Sequence, residues 1–460
     1  MTETAPWDDV PAPESRATAA LRAEYGMFVD GEFRAGGGEP RTGTDPATEQ
    51  PLATVATADE SDVDTAIRAA RRAQRETWGR LPGTERAKHL FRIARLVQEH
   101  SRELAVLQTL DTGRTIRSSK EAELPAAAAQ LFHHAGWADK LPHAGFGPDP
   151  RPVGVAAQIA PADASLLALV RMLAPALACG NTAVLKPAAA SPLGALVLAE
   201  ICRTAGLPAG VVNVLPGPAE VGGALAGHPD VAAVALTGSA AAGESVRTRL
   251  AGNGTRLALE PRTADADIVF DDAPLDQAVD GVLDGITGLR GRGARILLQE
   301  SVAERFLDLL RERVRGLRLG DPLDANTDVG PLTSAGRLAR NVELTAHAQE
   351  LGAERWTAEL PLPERGHFAE PAVLTGATQA MPIARADIPG PVLPVLTFRT
   401  PEEALAKANN TARPPAVSVW SHNGSTALWA AQHLRASAVR VNGAERPDVD
   451  PAGLETYLDV

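Results

Sequence analysis

The chain has 460 residues, 44% of them hydrophobic and 22% charged, enough to bury large cores in two or three domains. Its formal net charge of -12 makes a self-repelling surface and argues against general nucleic-acid binding. Two cysteines, Cys179 and Cys202, are too few for a disulfide framework, no apolar run is long enough to span a bilayer, and the start of the chain lacks a basic region followed by an apolar core, so a cytoplasmic protein is expected.

Residues 1–22 are rich in Pro, Thr, Glu and Ala and read as a loose arm. In MFVDGEF (27–33) Asp30-Gly31 sits between two apolar runs, which predicts a hairpin. Thr57-Ala58-Asp59-Glu60 has the pattern of a capping box, and Val63, Ala66, Ile67, Ala70 and Ala73 recur behind it at helical spacing, so a helix is expected to about Trp78. Amphipathic helices are predicted over 85–99, 101–110 and 124–141, and a Pro/Gly hinge over 145–152. From there the pattern alternates: strand 153–159, buried helix 164–178, strand 182–185, helix to Ile201, strands 211–215 and 231–236, then a helix from about Ala240. Such alternation implies a mostly parallel sheet with both faces covered, and right-handed crossovers put the C-terminal strand ends on one ligand-binding edge. Lys186 ends one strand there, and Thr237-Gly238-Ser239 opens a helix after another, an arrangement suited to an anion. Neither G-x-G-x-x-G nor G-x-x-x-x-G-K-[ST] is present. The stretch 285–301 (GITGLRGRGARILLQES) runs into a short buried strand over 295–299 and offers glycines, three arginines and the hydroxyl of Thr287, with no cysteine, histidine or carboxylate before Glu300.

In order along the chain, VDGEF (29–33), LDTG (110–113), AGWADKL (135–141), LAPALACGNTAVLKPA (173–188), GVVNVLPG (210–217), LTGS (236–239), LGDPLDANTDVGPL (319–332), GPVLPVLTF (390–398) and SVW (418–420) resemble the aldehyde dehydrogenase superfamily. The resemblance runs from about Met27 to Val460; PAPES (11–15) and the nucleophile region are most similar to a non-catalytic, cysteine-less domain of the family-sixteen branch. It implies an α/β, aldehyde dehydrogenase-like fold with doubly wound parallel sheets. The loose arm would be followed by a dinucleotide-binding domain (23–139 and 153–258), a catalytic-type domain (259–436), and an oligomerisation element (140–152 and 437–460).

The family mechanism uses a cysteine thiolate, an asparagine amide for the oxyanion, a glutamate that activates water, and NAD(P) as hydride acceptor. Glu260 matches the glutamate, but Pro261-Arg262-Thr263 replaces the two glycines after it. The asparagine position falls on Asp163, whose ionised carboxylate cannot donate to an oxyanion. Between 285–286 and 298–301 the chain is about four residues shorter than the family pattern, so the nucleophile is deleted with its loop; Cys179 and Cys202 read as small core residues, and Thr287 lacks a base nearby in the sequence. For the cofactor, the resemblance places Lys186 at the adenine ribose, Gly217, Thr237, Gly238 and Ser239 near the pyrophosphate, and Asp387 on the nicotinamide side; Ala189 and Pro389 remove contacts, which implies weakened NAD or NADP binding. The interval 142–151 is shorter than the family's hairpin, 445–451 replaces a glycine-rich segment, and GLETYLDV (453–460) resembles a strand that adds to a partner's sheet. Three readings follow: a silent subunit paired with an active relative or with itself, an active aldehyde oxidoreductase with an atypical site, or a stand-alone nucleotide- or aldehyde-binding module. The first accounts for the missing cysteine, Asp163 and the lost glycine-rich segment with one cause.

Overall fold

The computed structural model describes residues 12–147, 149–261, 265–287, 294–411, 416–443 and 453–459. Two seven-stranded sheets organise them. The first has the order Arg256–Pro261, Ala233–Gly238, Val155–Ile159, Thr182–Lys186, Val212–Val214, Met27–Val29, Glu32–Arg34. Its first five strands are parallel, and the Met27–Val29/Glu32–Arg34 hairpin closes it antiparallel. Side chains alternate between faces along each strand. Ala156, Ala183 and Leu185 therefore join the core beneath helices Leu166–Ala178 and Leu193–Thr204. Val155, Ala157 and Val184 join a second core under Glu60–Glu76 and Ala219–Gly227. Burial on both faces is why Thr182–Lys186 shows no polar/apolar alternation.

The second sheet runs Glu354–Thr357, Ala372–Thr375, Val392–Phe398, Ala294–Gln299, Asp265–Val269, Ala416–Trp420, Ala438–Val441, parallel except for its first pair. Ile268 and Leu297 face one core, and Val269, Ile296 and Leu298 face the other. A two-stranded ribbon pairs Leu458–Asp459 antiparallel with Arg151–Pro152, so the C-terminal strand of GLETYLDV has one partner within its own chain. Among the described residues no helix is long and apolar enough to cross a membrane, and no group of three metal-binding side chains occurs.

Local expectations shifted in two places. The helix after the first hairpin is capped by Asp59, not Thr57: Asp59 Oδ1 accepts from the Asp62 amide and Asp62 Oδ2 from the Asp59 amide, both at 3.0 Å. Thr57 is unavailable because it ends the strand Pro51–Thr57. The described part of the N-terminal arm is also tied down. Ser15 caps a short turn at Arg16–Ala19, Ala19 is buried, and Glu14 takes Arg102 at 2.9 Å and Lys120 at 3.1 Å. Pro11, the first residue of PAPES, lies outside the described residues.

Candidate active site

The parallel strands of the first sheet deliver their C-terminal ends to one edge, and most of the expected residues meet there. Thr237 and Glu260 are register partners on adjacent strands, and Thr237 Oγ1 donates to Glu260 Oε2 at 3.2 Å. Ser239 caps the helix Ala240–Leu250 by accepting from the Ala242 amide at 3.2 Å. The hydroxyl therefore satisfies one helix amide, and the positive end of that helix faces the edge. Lys186 ends the strand two places along; only 7% exposed, it donates from Nζ to the Pro187 carbonyl at 3.1 Å. Burial pushes its ammonium down to about 8, partly opposed by Glu220. Gly217 follows the next strand, and a Cβ there would stand 2.8 Å from Val221 Cγ2. Its backbone thus lies closer to the helix Ala219–Gly227 than a larger residue would permit. A helix N-terminus, a buried lysine and a close-packed glycine along one sheet edge fit the phosphate and ribose of a dinucleotide.

Glu260 also borders a cavity of about 140 Å³ with Gln130, Arg171 and Tyr457. Tyr457 Oη donates to the Met172 carbonyl at 3.2 Å, which fixes this wall to the helix Leu166–Ala178.

The remaining expected residues form a second cluster. Asp163 lies beyond the strand Val155–Ile159 and Asp387 lies just before Gly390, and one arginine holds both. Arg337, in the first turn of the helix Ala335–Glu350, approaches Asp163 Oδ2 at 3.4 Å and Asp387 Oδ2 at 3.8 Å. Asp163, Arg337, Gly285, Ile286 and Thr287 border a cavity of about 90 Å³, so the fold brings the asparagine-position residue to the start of the 285–301 stretch. Thr287 ends the helix Leu275–Ile286, and its buried Oγ1 makes no hydrogen bond with the described residues. The sequence reading did not anticipate Arg337. The signal was indirect: two carboxylates in neutral or donor positions call for a cation, and Arg337 stands three residues past the N-cap Ser334.

Neither thiol lines either cavity, although Cys179 Sγ packs 3.9 Å from the Leu454 carbonyl, behind the C-terminal segment that walls the Glu260 cavity. Cys179 and Cys202 are 0% and 1% exposed, and burial pushes both up to about 12. At pH 7 both therefore stay as thiols. Arg295, one of the three arginines of the stretch, is not at the site either. It is 1% exposed, and its guanidinium donates to the carbonyls of Ala384, Lys407 and Ala408. Residues 288–293, where the loop was expected to be shortened, lie outside the described residues, as do Arg262, Thr263 and 445–451.

Comparison with known proteins gives the family. A model of the aldehyde dehydrogenase family matches residues 34–453. An aldehyde dehydrogenase of Alternaria alternata is 34% identical over 92% of this chain and 88% of its own length. Betaine aldehyde dehydrogenase 2 of Rhizobium meliloti is 35% identical over 95% of this chain and 93% of its own. Among solved structures, an aldehyde dehydrogenase from Bacillus cereus in complex with NAD⁺ superposes with a TM-score of 0.89, at 31% identity and 97% coverage of both chains. With a family match over residues 34–453 and relatives more than 30% identical across nearly the whole length, the chain belongs to the aldehyde dehydrogenase family.

Proposed function

We propose that this aldehyde dehydrogenase family protein binds NAD or NADP but does not carry out thiol-dependent aldehyde oxidation, and that it works as a silent subunit beside an active relative. The observation that carries the reading is the burial of both cysteines, Cys179 and Cys202, neither of which lines the cavities bordered by Asp163, Thr287 and Glu260. A thiolate is the nucleophile that this chemistry needs, and burial holds both groups as thiols and screens them from an aldehyde in solution. Asp163 adds to the argument: a carboxylate held by Arg337 offers no hydrogen to a developing oxyanion.

Binding of a dinucleotide rests on Lys186 for a ribose hydroxyl, Gly217 for close backbone approach and the Ser239-capped helix end for the pyrophosphate. When bound, the nicotinamide supplies a hydride acceptor. Asp387 would meet it only by leaving Arg337, which is one reason for affinity below that of an ordinary dehydrogenase, by roughly two decades at most.

Thr287 favours a second reading, an active enzyme with a hydroxyl nucleophile, because its unbonded Oγ1 borders the same cavity as Asp163. The relatives named as aldehyde dehydrogenases also stand on that side. One experiment separates the two. The purified protein is incubated with propanal and NAD while NADH is followed, and calorimetry measures NAD and NADP binding. The expected result is binding without NADH formation, with the Lys186→Met variant binding about tenfold more weakly. Sustained NADH production that survives purification and disappears in Thr287→Ala would replace the silent reading with the active one.

A further inference from the structure

A cavity of about 400 Å³ lies between the N-terminal arm and three helices, and shares no lining residue with either cluster above. It falls within the roughly 300–1,000 Å³ of typical small-molecule sites. Its walls are apolar: Tyr25 and Phe33 on one side, Leu104 and Leu107 from the helix Ser101–Thr112, and Leu196 and Ile201 from the helix Leu193–Thr204. Helical spacing sets Leu196, Glu200 and Thr204 on one face of that last helix, so the Glu200 carboxylate stands over a largely hydrophobic space whose rim also carries Arg22, His100 and Glu103.

The polar groups at the rim are unevenly satisfied. Arg22 lies over the Tyr25 and Phe33 rings, 5.9 and 5.6 Å from their centroids, so its charge rests on aromatic faces. His100 Nδ1 is 3.0 Å from Glu103 Oε2, and Thr204 Oγ1 donates to the Glu200 carbonyl at 2.9 Å. Glu200 Oε1 is taken by Arg203. Glu200 Oε2 is buried and receives no hydrogen bond from the described residues, although Arg22 makes an ion pair with it at 3.7 Å. A buried carboxylate oxygen without a donor is costly, and a ligand that brings a charged donor recovers that cost.

We propose that this cavity binds a small organic amine, its aryl or alkyl body among Tyr25, Phe33 and the leucines and its ammonium donating to Glu200 Oε2. The site is independent of dinucleotide binding and of the assembly reading. The test titrates the full chain by calorimetry at neutral pH with phenylbutylamine, phenylbutanol and phenylbutyrate, three molecules with one body and different heads. The amine should bind at least about tenfold more tightly than the alcohol or the carboxylate. Glu200→Gln should remove most of that preference with little change in thermal unfolding, because the side chain is partly exposed and its ion-pair partners, Arg203 and Arg22, both lie at the surface. Leu104→Trp, which fills the floor, should abolish binding of all three. Equal binding of the three heads, preference for the carboxylate, or an amine affinity unchanged in Glu200→Gln overturns the proposal. So does amine binding that appears only when residues 1–11 are removed, since the cavity would then belong to the chain's own terminus.

Discussion

At the scale of single residues, charge placed against burial decides what each position can do. Asp163, beside the candidate site, has Arg337 for a partner at 3.4 Å. Asp111 has no such cation. It is 2% exposed, its Oδ2 accepts from the Gly194 amide at 3.2 Å, and burial raises its carboxyl from the ordinary 3.8 to about 7, with the Gly194 and Leu193 amides opposing the rise. The sign of the pH effect follows from the raised value. Below pH 3.8 the carboxyl is neutral in both states and its full contribution to stability is present; between there and about 7 the unfolded chain ionises first and stability falls; above that the penalty is constant, up to about 4 kcal/mol. Asp111→Asn keeps an acceptor for Gly194 and cannot ionise. The variant should therefore unfold near the parent's temperature at pH 4 and several degrees above it at pH 8; a gap that does not widen with pH would mean that Asp111 is not the titrating group. Glu260, Asp163 and Lys186 were legible as positions in the sequence because each sits in a recognisable local motif. Arg337 was not, because an ion pair between distant segments leaves no local pattern.

At the scale of elements, the strand Ala294–Gln299 shows how a correct element can carry a misplaced residue. Its apolar run and length were readable, and it lies in the middle of the second sheet between Val392–Phe398 and Asp265–Val269. Period-two alternation did not reveal that Arg295 turns into the core, where its donors meet the carbonyls of Ala384, Lys407 and Ala408, and where burial lowers it to about 10 despite Asp265. Those carbonyls end the short turn Pro382–Ala384 and the helix Pro401–Ala408, so one guanidinium ties both to the strand. Arg295→Met fills similar space but leaves the carbonyls unpaired, and should lower stability by about 3–5 kcal/mol. Denaturant unfolding checks this, and a loss below about 1 kcal/mol would show that water or other donors replace the guanidinium. The Asp59–Asp62 cap is the complementary case: the helix was legible, but the competing strand at Thr57 was a tertiary feature and moved its first residue.

At the scale of the whole molecule, the alternation of short strands and helices announced parallel sheets covered on both faces, whereas strand order and the edges left open depend on long-range pairing that no window of sequence contains. Those edges bear on assembly. Ala438–Val441 ends the second sheet, Val441 is 47% exposed, and the ribbon of Arg151–Pro152 with Leu458–Asp459 has only two strands. Among the described residues no further strand pairs with these edges, and backbone pairing with another subunit would satisfy the amides and carbonyls of such an edge largely regardless of side-chain pattern. Removing the last residues is a poor test of that idea. Leu454, Tyr457 and Leu458 are buried, Asn181 Nδ2 donates to the Tyr457 carbonyl at 2.8 Å, and truncation would damage the subunit itself. Val441→Asp is gentler, since the side chain already meets solvent at the edge and a charge there opposes pairing without emptying a core. Mixed with an active relative from the same host, the parent should give a hetero-oligomer by light scattering. The Val441→Asp variant should keep the parent's thermal unfolding and lose much of the mixed species. Unchanged separate oligomers for the parent would remove the silent-subunit reading, whereas mixed species that form equally with the variant would keep that reading and place the contact away from this edge.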